Sequence, residues 1–305
     1  MSTPRISVRG LTKKYKNVDA VSDLSFEVTE GSVCGLLGPN GSGKTTTFKC
    51  LLGHAHPAAG AILFDGKALE PALFERLAYV PETPALYEWM SAGDHFEAAR
   101  RAYRAYDVPR ERQLIDLFSI DRKMRVRALS KGQKTAVAIA VAFAMRPEIM
   151  VLDEPASGLD PVHQRSVLNL IIEAAAGGAT ILFSSHQIGQ VERAADCIVI
   201  VQRGRLVLGG SVDDLKADQK VIEATFEREI PALDGINTDP SVSDVMRVGR
   251  TVRLTVKGNH DAIALRLQSF GPTSLRVYDQ NLEDIFLNAV GAKPLGVAIE
   301  ANDYA

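Results

Sequence analysis

The nonapeptide "GPNGSGKTT" at residues 38–46 restricts the fold of this chain more than any other stretch. A buried-strand pattern at residues 33–38 precedes it, and a helical pattern at residues 44–52 follows it. In such a strand-to-helix turn, glycines let successive backbone N–H groups face one phosphate, and the helix N-terminus adds positive potential. Lys44 reaches the outer phosphates, and the Thr45 hydroxyl is suited to Mg²⁺. The sequence therefore predicts a phosphate-binding loop, or P-loop.

The composition indicates a soluble globular protein. The chain has 305 residues, 46% of them hydrophobic, and 35 Lys and Arg against 37 Asp and Glu. It has no basic excess of the kind that nucleic-acid binding favours. The start "MSTPRISVRGLTKKY" lacks the apolar core of a signal peptide. The longest apolar run, at residues 135–145, is too short to cross a bilayer. The three cysteines are scattered and form no disulfide or metal framework. We expect a cytoplasmic protein.

Short apolar runs alternate with helical patterns through most of the chain. Buried strands are predicted at residues 33–38, 148–153 and 179–185. Helical patterns follow them at residues 44–52, 161–176 and 187–194. This order is typical of a parallel α/β sheet. Residues 91–120 are rich in Arg and Ala and have no strand pattern, which predicts an inserted helical segment.

The pattern changes after about residue 215. Strands are predicted at residues 220–226, 251–256 and 274–277, and helices at residues 261–270 and 282–290. The predicted fold class is α/β: a P-loop NTPase core with a mostly parallel sheet, an antiparallel β part, an inserted helical subdomain at about residues 86–140, and a small C-terminal α+β domain. The predicted domains are residues 1–215 and an accessory or regulatory domain at residues 216–305.

Two carboxylates end the second predicted strand, in "EIMVLDEP". Because strand carboxyl ends in open α/β sheets face the ligand crevice, Asp153 is placed to hold Mg²⁺ and Glu154 to polarise an attacking water. Such a pair is by itself more often a solvated turn or helix cap, but the P-loop in the same sheet favours catalysis. His186 ends the next strand on the same rim, where it can bridge the γ-phosphate, the water and Glu154. An isolated histidine is more often a surface or core residue.

In this order the motifs resemble those of the ATP-binding-cassette (ABC) ATPases. "GPNGSGKTT" is similar to their Walker A motif, "IMVLDEP" to Walker B with its catalytic glutamate, "SGLD" to the D-loop, "SSH" to the switch histidine and "LSKGQ" to the signature. The resemblance covers roughly residues 6–215 and implies ATP and Mg²⁺ as cofactors, with Glu154, His186 and Lys44 as catalytic residues. The ATP-binding residues that it implies are Tyr15, Gly38, Pro39, Asn40, Gly41, Ser42, Gly43, Lys44, Thr45 and Thr46.

The same resemblance implies further roles. Tyr15 matches the aromatic residue that stacks on adenine, and its alternative is a tyrosine at a strand edge. The implied metal ligands are Thr45, Asp153 and Glu82. The implied D-loop residues are Ser157, Gly158, Leu159 and Asp160.

The signature implies a second anion cradle, formed by Leu129, Ser130, Lys131, Gly132 and Gln133. In ABC ATPases two cassettes face each other head to tail, and each signature closes over the γ-phosphate held by the partner's P-loop. The resemblance therefore implies that this cradle serves the ATP of a second subunit. A donor nest at a helix N-terminus suits an anion presented across an interface. A role for Ser130 as the N-cap of the helix at residues 135–145 is compatible with this role across the interface.

Two residues depart from the family pattern. Lys131 stands where the signature usually has Gly; in a left-handed backbone conformation it would cost about 1–2 kcal/mol, and its ammonium would add charge near the phosphates. Glu82, in "YVPE", replaces the glutamine of the Q-loop, although a carboxylate can still bind metal. Both departures, and the tail "NLEDIFLNAVG" at residues 281–291, resemble the ABC-2-type exporter branch.

The resemblance implies an ATP-hydrolysing subunit of a transporter, which would energise a separate transmembrane permease. Through this permease the subunit would be peripheral on the inner face of the cell membrane. It would pair with a second copy of itself or with a homologous cassette. We expect the permease contact around residues 82–95, with Leu86, Tyr87 and Trp89 as exposed anchors; burial of these three in the core is an equal alternative.

Two other function classes are disfavoured. A soluble ABC ATPase acting on a ribosome or a nucleic-acid complex usually has two fused cassettes or long coiled coils, whereas this chain has one cassette and no basic excess. No nucleic-acid partner is expected. A nucleotide-binding module without turnover is disfavoured because Glu154 and His186 are both present.

Overall fold

The structure, a computed structural model, describes residues 4–16 and 18–290. The chain divides into two compact units, Met1–Gly210 and Ser211–Ala305. Among the described residues, no helix is long and apolar enough to cross a bilayer. Gly291, the last residue of the tail sequence named above, lies outside the described part.

The first unit combines two sheets with six α-helices and two short 3₁₀ helices, Pro71–Glu75 and Val126–Ala128, in its described part. In chain order the strands are β1 (Pro4–Tyr15), β2 (Val18–Thr29), β3 (Val33–Leu37), β4 (Ala59–Phe64), β5 (Leu77–Val80), β6 (Ile149–Asp153), β7 (Thr180–Ser185), β8 (Cys197–Gln202) and β9 (Arg205–Ser211). The helices are α1 (Lys44–Leu51), α2 (Ala92–Ala102), α3 (Val108–Leu117), α4 (Lys131–Ala144), α5 (Pro161–Ala176) and α6 (Ile188–Ala194). The strands predicted around the motifs are confirmed as β3, β6 and β7, and the helices that follow them as α1, α5 and α6.

The larger sheet carries the P-loop. Its strand order is β5-β6-β7-β3-β8-β9, with parallel pairing from β5 to β8. Every residue of β3 and β6 is buried, as expected for strands covered on both faces. Gly35 in β3 leaves no room for a side chain, because a Cβ there would lie 2.3 Å from Cγ1 of Val191 in α6. Helix α6 therefore packs directly on the strand that leads into the P-loop.

The smaller sheet forms the predicted antiparallel β part. Its strand order is β2-β1-β4, and β1 pairs antiparallel with both neighbours. One buried cluster joins this sheet to α1 and the parallel sheet, with Leu11, Leu24, Phe48 and Leu182 among its members. Because β2 begins at Val18, this sheet also brings its edge to the nucleotide pocket described below.

The inserted helices are held together by a buried charge cluster. The Glu111 side chain in α3 is fully buried and accepts hydrogen bonds from Arg100 of α2 (3.0 Å) and from the Tyr106 hydroxyl (2.8 Å), with a third contact to Arg122. Burial alone would raise the pKa of Glu111, but these hydrogen bonds outweigh it and hold the pKa below its usual value. The cluster links α2, α3 and the segment before the signature.

A short backbone ladder also ties residues 88–93 to residues 122–127. Its hydrogen bonds run from Gly93 N to Arg122 O (2.8 Å), Ala92 N to Met124 O (3.0 Å), Val126 N to Met90 O (2.9 Å) and Arg127 N to Glu88 O (3.1 Å). The signature begins directly after this ladder, at Leu129. Residues 88–93 and the signature are thus joined by rigid backbone contacts.

The second unit is a four-stranded antiparallel sheet with helices in its described part. Its elements are α7 (Val212–Asp218), β10 (Gln219–Thr225), β11 (Val242–Val248), β12 (Thr251–Lys257), α8 (His260–Gln268), β13 (Ser274–Asp279) and α9 (Leu282–Ala289). The strand order β11-β12-β10-β13 is that of a ferredoxin-like sheet in which residues 226–241 replace the first helix. The predicted strands and helices are confirmed as β10, β12, β13, α8 and α9.

The sequence patterns of α7 and β11 were too weak to predict either element. Helix α7 has seven residues, and β11, "VSDVMRV", is an edge strand with polar or exposed residues at most positions. An edge strand with one weakly buried face lacks the clear alternation of apolar and polar residues. The accessory or regulatory role of this unit stays a prediction.

Candidate functional site

A pocket of about 660 Å³ opens at the carboxyl end of the parallel sheet. It gathers residues from the P-loop, the ends of β5, β6 and β7, and the start of β2. The lining residues are Val18, Asp19, Ala20, Asn40, Gly41, Ser42, Gly43, Lys44, Thr45, Thr46, Glu82, Asp153, Glu154, Ser157 and His186. Motifs more than a hundred residues apart thus converge on one site, as the strand predictions required.

The lysine of the P-loop bonds to the backbone of the same loop. Lys44 is buried, and its Nζ donates to the carbonyl oxygens of Gly38 (2.7 Å) and Pro39 (3.3 Å), which lie beside the pocket. Burial lowers the pKa of Lys44, while the nearby carboxylates of Glu154, Asp153 and Glu82 act in the opposite direction. A buried ammonium that bonds only to neutral carbonyls is suited to an anionic phosphate in the same space.

Gly43 shows why this loop needs glycine. Its φ is +112°, and a Cβ there would lie 2.6 Å from the carbonyl oxygen of Ala20. Gly43 immediately precedes α1, whose first residues have no acidic side chain and no side-chain cap. The N–H groups that begin α1 therefore remain available to an anion in the pocket.

Asp153 lines the pocket, and one of its carboxylate oxygens has no hydrogen-bond partner among the described residues. Its Oδ1 accepts from the Ser184 hydroxyl at 2.6 Å, and Ser184 Oγ in turn accepts from the backbone N–H of Glu154 at 2.9 Å. Asp153 Oδ2 is buried and has no hydrogen-bond partner among the described residues. A buried, unpaired carboxylate oxygen on a residue that lines the same pocket as Thr45 fits a hard cation such as Mg²⁺.

The described residues contain no cluster of three or more His, Cys, Asp or Glu side chains arranged to hold a metal. Mg²⁺ in nucleotide sites keeps most of its shell as water and phosphate oxygens. Glu82 is exposed and lines the same pocket, so that its carboxylate is a third oxygen donor on the rim.

Glu154 and His186 form a contact at the mouth of the pocket. His186 Nδ1 lies 2.7 Å from Glu154 Oε2, and the Glu154 side chain is 12% exposed while that of His186 is 55% exposed. Glu154 has a φ of +50°, an uncommon conformation for a residue with a Cβ, and it follows the buried strand β6 directly. The structure brings together the two residues that the sequence predicted to act on one water.

Comparison with known proteins identifies the family. Residues 21–157 match the family described as "ABC transporter". The chain is 33% identical over 230 residues to the ABC-type transporter ATP-binding protein EcsA of Bacillus subtilis, covering 73% of this chain and 93% of that protein. The chain belongs to the ABC transporter family of ATP-binding proteins. Its nucleotide pocket is therefore the P-loop site of an ABC cassette.

Other relatives and structures agree with this family assignment. The chain is 37% identical over 212 residues to an ABC transporter ATP-binding protein of Nostoc, covering 67% of this chain and 63% of that protein. It is 31% identical over 306 residues to the Nod factor export ATP-binding protein I of Ralstonia nicotianae, covering 95% of each. A solved structure of the ATP binding subunit of an ABC transporter is 34% identical, covers 70% of this chain and 92% of its own, and superposes with a TM-score of 0.64.

Tyr15 lies beside the pocket rather than in its lining. It is 44% exposed at the end of β1, where Lys13 Nζ lies 4.9 Å from its ring centroid. Its strand partner Val18 is 65% exposed and lines the pocket with Asp19 and Ala20. The sequence analysis missed these three residues, which follow shortly after Tyr15 in the chain. Stacking of Tyr15 on adenine stays a prediction.

The signature residues do not line the pocket of their own chain. Ser130 is the N-cap of α4: its hydroxyl accepts from Gln133 N at 3.2 Å, and Gln133 Oε1 accepts from Ser130 N at 2.9 Å. The capping role of Ser130 is thereby confirmed. A capped, exposed helix start that does not line the pocket of its own cassette is compatible with service to a second subunit.

The concern about the backbone of Lys131 was wrong. Lys131 is the first residue of α4 and is absent from the positive-φ residues of the described chain, so no left-handed strain arises. The carbons of its side chain pack over Gly158, and its Nζ lies 3.4 Å from Ser157 Oγ in the D-loop. The helix geometry tolerates any residue here because the first position of a helix has ordinary helical dihedral angles.

The D-loop connects the signature to the pocket. Ser157 lines the pocket, and its backbone N–H donates to the carbonyl of Glu154 at 2.9 Å. Gly158 has a φ of +78°, and Asp160 caps α5 by accepting from Val162 N and His163 N. The described D-loop is therefore a capped turn between Glu154 and α5.

Gly132→Ala is expected to disturb the contact between signature and D-loop. A Cβ on Gly132 would lie 2.5 Å from the carbonyl oxygen of Gly158, and backbone rather than a flexible side chain would have to move. We expect a loss of about 1–3 kcal/mol in the free energy of unfolding and a lower rate of ATP hydrolysis. Denaturant unfolding and a steady-state phosphate-release assay measure both.

Gly189→Ala is the matched control, because Gly189 also lies in the first turn of a helix and nothing lies within 4 Å of its Cβ position. We expect it to be neutral or to stabilise by up to about 1 kcal/mol through helix propensity. Equal stability and hydrolysis in the two variants would contradict a tight contact between Gly132 and the D-loop.

Proposed function

We propose that this chain hydrolyses ATP and that the energy drives a separate transmembrane permease, in the direction of export. The observation that carries the proposal is the 2.7 Å contact between Glu154 and His186 on the rim of the P-loop pocket. A pocket built only to bind nucleotide has no need of a carboxylate and an imidazole at the position of the attacking water.

In this mechanism the P-loop and Lys44 bind the phosphates, and Glu154 accepts a hydrogen bond from the attacking water and polarises it. His186 holds the Glu154 carboxylate through the contact at Oε2 and would bridge the γ-phosphate, the water and Glu154 once ATP is bound. Mg²⁺, when bound, would be held by Thr45, Asp153 and Glu82 and would supply charge neutralisation to the phosphates. The buried, unpaired Oδ2 of Asp153 supports this assignment.

We further propose a head-to-tail partner cassette, either a second copy or a homologue. The exposed, capped signature supports it, because residues 129–133 present a helix N-terminus that the chain's own pocket does not use. With a partner in place, Ser130 and the start of α4 would face the γ-phosphate held on the partner's P-loop.

The permease would dock at an exposed aromatic cluster. The Tyr87 side chain is 65% exposed and that of Trp89 is 71% exposed, whereas Leu86 is half-buried. The ring centroids of Tyr87 and Trp89 lie 5.8 Å apart, and the Tyr87 N–H donates to Nε2 of His95 at 3.0 Å. The ladder between residues 88–93 and 122–127 offers a path from this surface to the signature. Exposed aromatic pairs on a rigid backbone are suited to anchor a partner protein.

The direction of export rests on relatives. The name of the Nod factor export protein, which this chain matches over 95% of its length, supports export. The departures at Lys131 and Glu82 and the tail sequence at residues 281–291 support the ABC-2-type exporter branch, which is part of this proposal.

The proposal is tested by sedimentation with membranes and ribosomes of the host cell. We expect the purified chain to hydrolyse ATP, to pellet with the membranes, and to lose this association when the membranes are first treated with protease. The double variant Tyr87→Ser with Trp89→Ser is expected to lose membrane association at least tenfold while its basal ATPase rate is unchanged.

Phe74→Ser serves as the control, because Phe74 is another exposed aromatic residue, 41% exposed, in a short helix outside the cluster. It is expected to pellet like the unmodified chain. Association with ribosomes instead of membranes would favour the rival class of soluble ABC ATPase. ATP binding without any hydrolysis would reject the enzymatic part of the proposal.

A further inference from the structure

Three arginines line an open basin of about 800 Å³ in the second unit. Arg228 follows strand β10, while Arg247 and Arg250 flank the hairpin turn between β11 and β12. The remaining lining residues are Glu229, Ile230 and Gly249. This arginine basin is remote in sequence from every nucleotide motif and has no part in the mechanism above.

Backbone contacts hold the two sides of the arginine basin together. The Phe226 N–H donates to the carbonyl of Arg250 at 2.9 Å, and the Arg250 guanidinium donates to the carbonyl of Glu227 at 2.9 Å. Register pairing of Arg247 with Val252 fixes the hairpin on the other side. The loop after β10 and the hairpin are therefore joined, so that the three guanidiniums belong to one structural site.

The charge of the basin is left uncompensated. Within the part of the chain that the structure describes, none of the three arginines of the basin has a carboxylate oxygen within 4.0 Å. Other arginines of the same unit do form ion pairs: Arg253 with Glu223 and Arg266 with Asp239, each at 2.9 Å. Glu229 is the one acidic side chain among the lining residues. Positive charges that line one basin repel one another until an anion neutralises them.

We propose that the arginine basin binds a phosphate-bearing anion, either a soluble polyphosphate or the headgroup of an anionic phospholipid. Guanidinium groups match phosphate oxygens in charge and in paired hydrogen bonds, which lysine does not do. Arg250 is already oriented by the Glu227 carbonyl, so less ordering is required on binding. The alternative is a solvated basic surface, which would attract anions diffusely and without dependence on one residue.

The test compares two single-charge variants of the full chain, Arg247→Gln and Arg276→Gln. Both arginines lie on edge strands of the same sheet, both are exposed, and neither has a carboxylate partner among the described residues, but only Arg247 lines the basin. Calorimetric titration with pyrophosphate is carried out with ADP saturating the P-loop, and any residual P-loop binding is common to both variants. Flotation with vesicles of phosphatidylglycerol, against neutral phosphatidylcholine, forms the second arm.

We expect Arg247→Gln to weaken binding roughly tenfold and Arg276→Gln to change it by less than about twofold. Binding of pyrophosphate alone would indicate a soluble anion, and binding of phosphatidylglycerol vesicles would indicate a lipid headgroup. Equal weakening by both variants would show diffuse attraction and overturn the proposal, as would absence of binding in both arms. Thermal melting confirms that the variants fold, since neither side chain takes part in an ion pair.

Discussion

Glu154→Gln is expected to keep ATP binding and to lose ATP hydrolysis by about a hundredfold or more. The amide preserves the size of the side chain and its contact with His186 Nδ1, but it no longer accepts a proton or polarises the water. The P-loop contacts of Lys44 and the free oxygen of Asp153 do not involve Glu154, so the nucleotide is still held. Binding is measured by equilibrium titration and turnover by phosphate release.

The same variant should accumulate an ATP-bound dimer, because closure needs bound nucleotide and opening follows hydrolysis. Size-exclusion chromatography with and without ATP detects it. Glu75→Gln is the control, since Glu75 is an exposed carboxylate in a short helix outside the pocket. Near-normal turnover of Glu154→Gln would remove this residue from the chemistry and would leave His186 without its proposed partner.

The core motifs could be predicted because each of them combines chemistry and backbone in one short segment. "GPNGSGKTT" needs a strand before it and a helix after it, and β3 and α1 occupy those positions. Asp153 ends the buried strand β6 and His186 follows the buried strand β7, and parallel pairing of β6 with β7 brings these strand ends together. The geometry of the catalytic rim therefore follows from sequence patterns of buried strands.

Other features depend on packing that no local pattern encodes. Exposure of Tyr87 and Trp89 was an even choice from sequence, because it depends on which elements cover the turn that carries them. The conformation of Lys131 depends on where α4 begins, and that start is set by the Ser130 and Gln133 cap. The sequence signal for Val18, Asp19 and Ala20 was similarly weak, since small or exposed residues in a strand carry little pattern.

The arginine basin illustrates the same limit in the second unit. Arg228 and Arg247 are nineteen positions apart, and only the pairing of β10 with β12 and of β12 with β11 brings their segments to one end of the sheet. β11 was not predicted, so its hairpin and the arginines on it could not be placed. Sites formed by long-range antiparallel pairing require the register, which a single sequence specifies poorly.

The largest expected effect on assembly comes from mixing Lys44→Ala with Ser130→Arg. Lys44→Ala damages a chain's own P-loop, and Ser130→Arg damages the signature that it offers to a partner, so each homodimer has two damaged sites. In a mixed dimer the intact P-loop of one chain meets the intact signature of the other, and one composite site is restored. We expect ATP-dependent association to return in the mixture, measured by analytical ultracentrifugation.

Ser130→Arg also removes the α4 cap, a loss of about 1 kcal/mol, and the control must carry the same defect. Ser91→Arg does so, because Ser91 caps α2 through the same reciprocal bonds with Asp94 but lies outside the signature. Alone, Ser91→Arg should still form dimers in the presence of ATP, which separates cap loss from signature loss.

Association is the safer measurement, because coupling between two sites can suppress hydrolysis even when one site is whole. If subunits exchange freely and the mixture of Lys44→Ala with Ser130→Arg still forms no ATP-dependent dimer beyond either parent, Ser130 acts within its own chain as a helix cap, and the second cradle does not serve a partner.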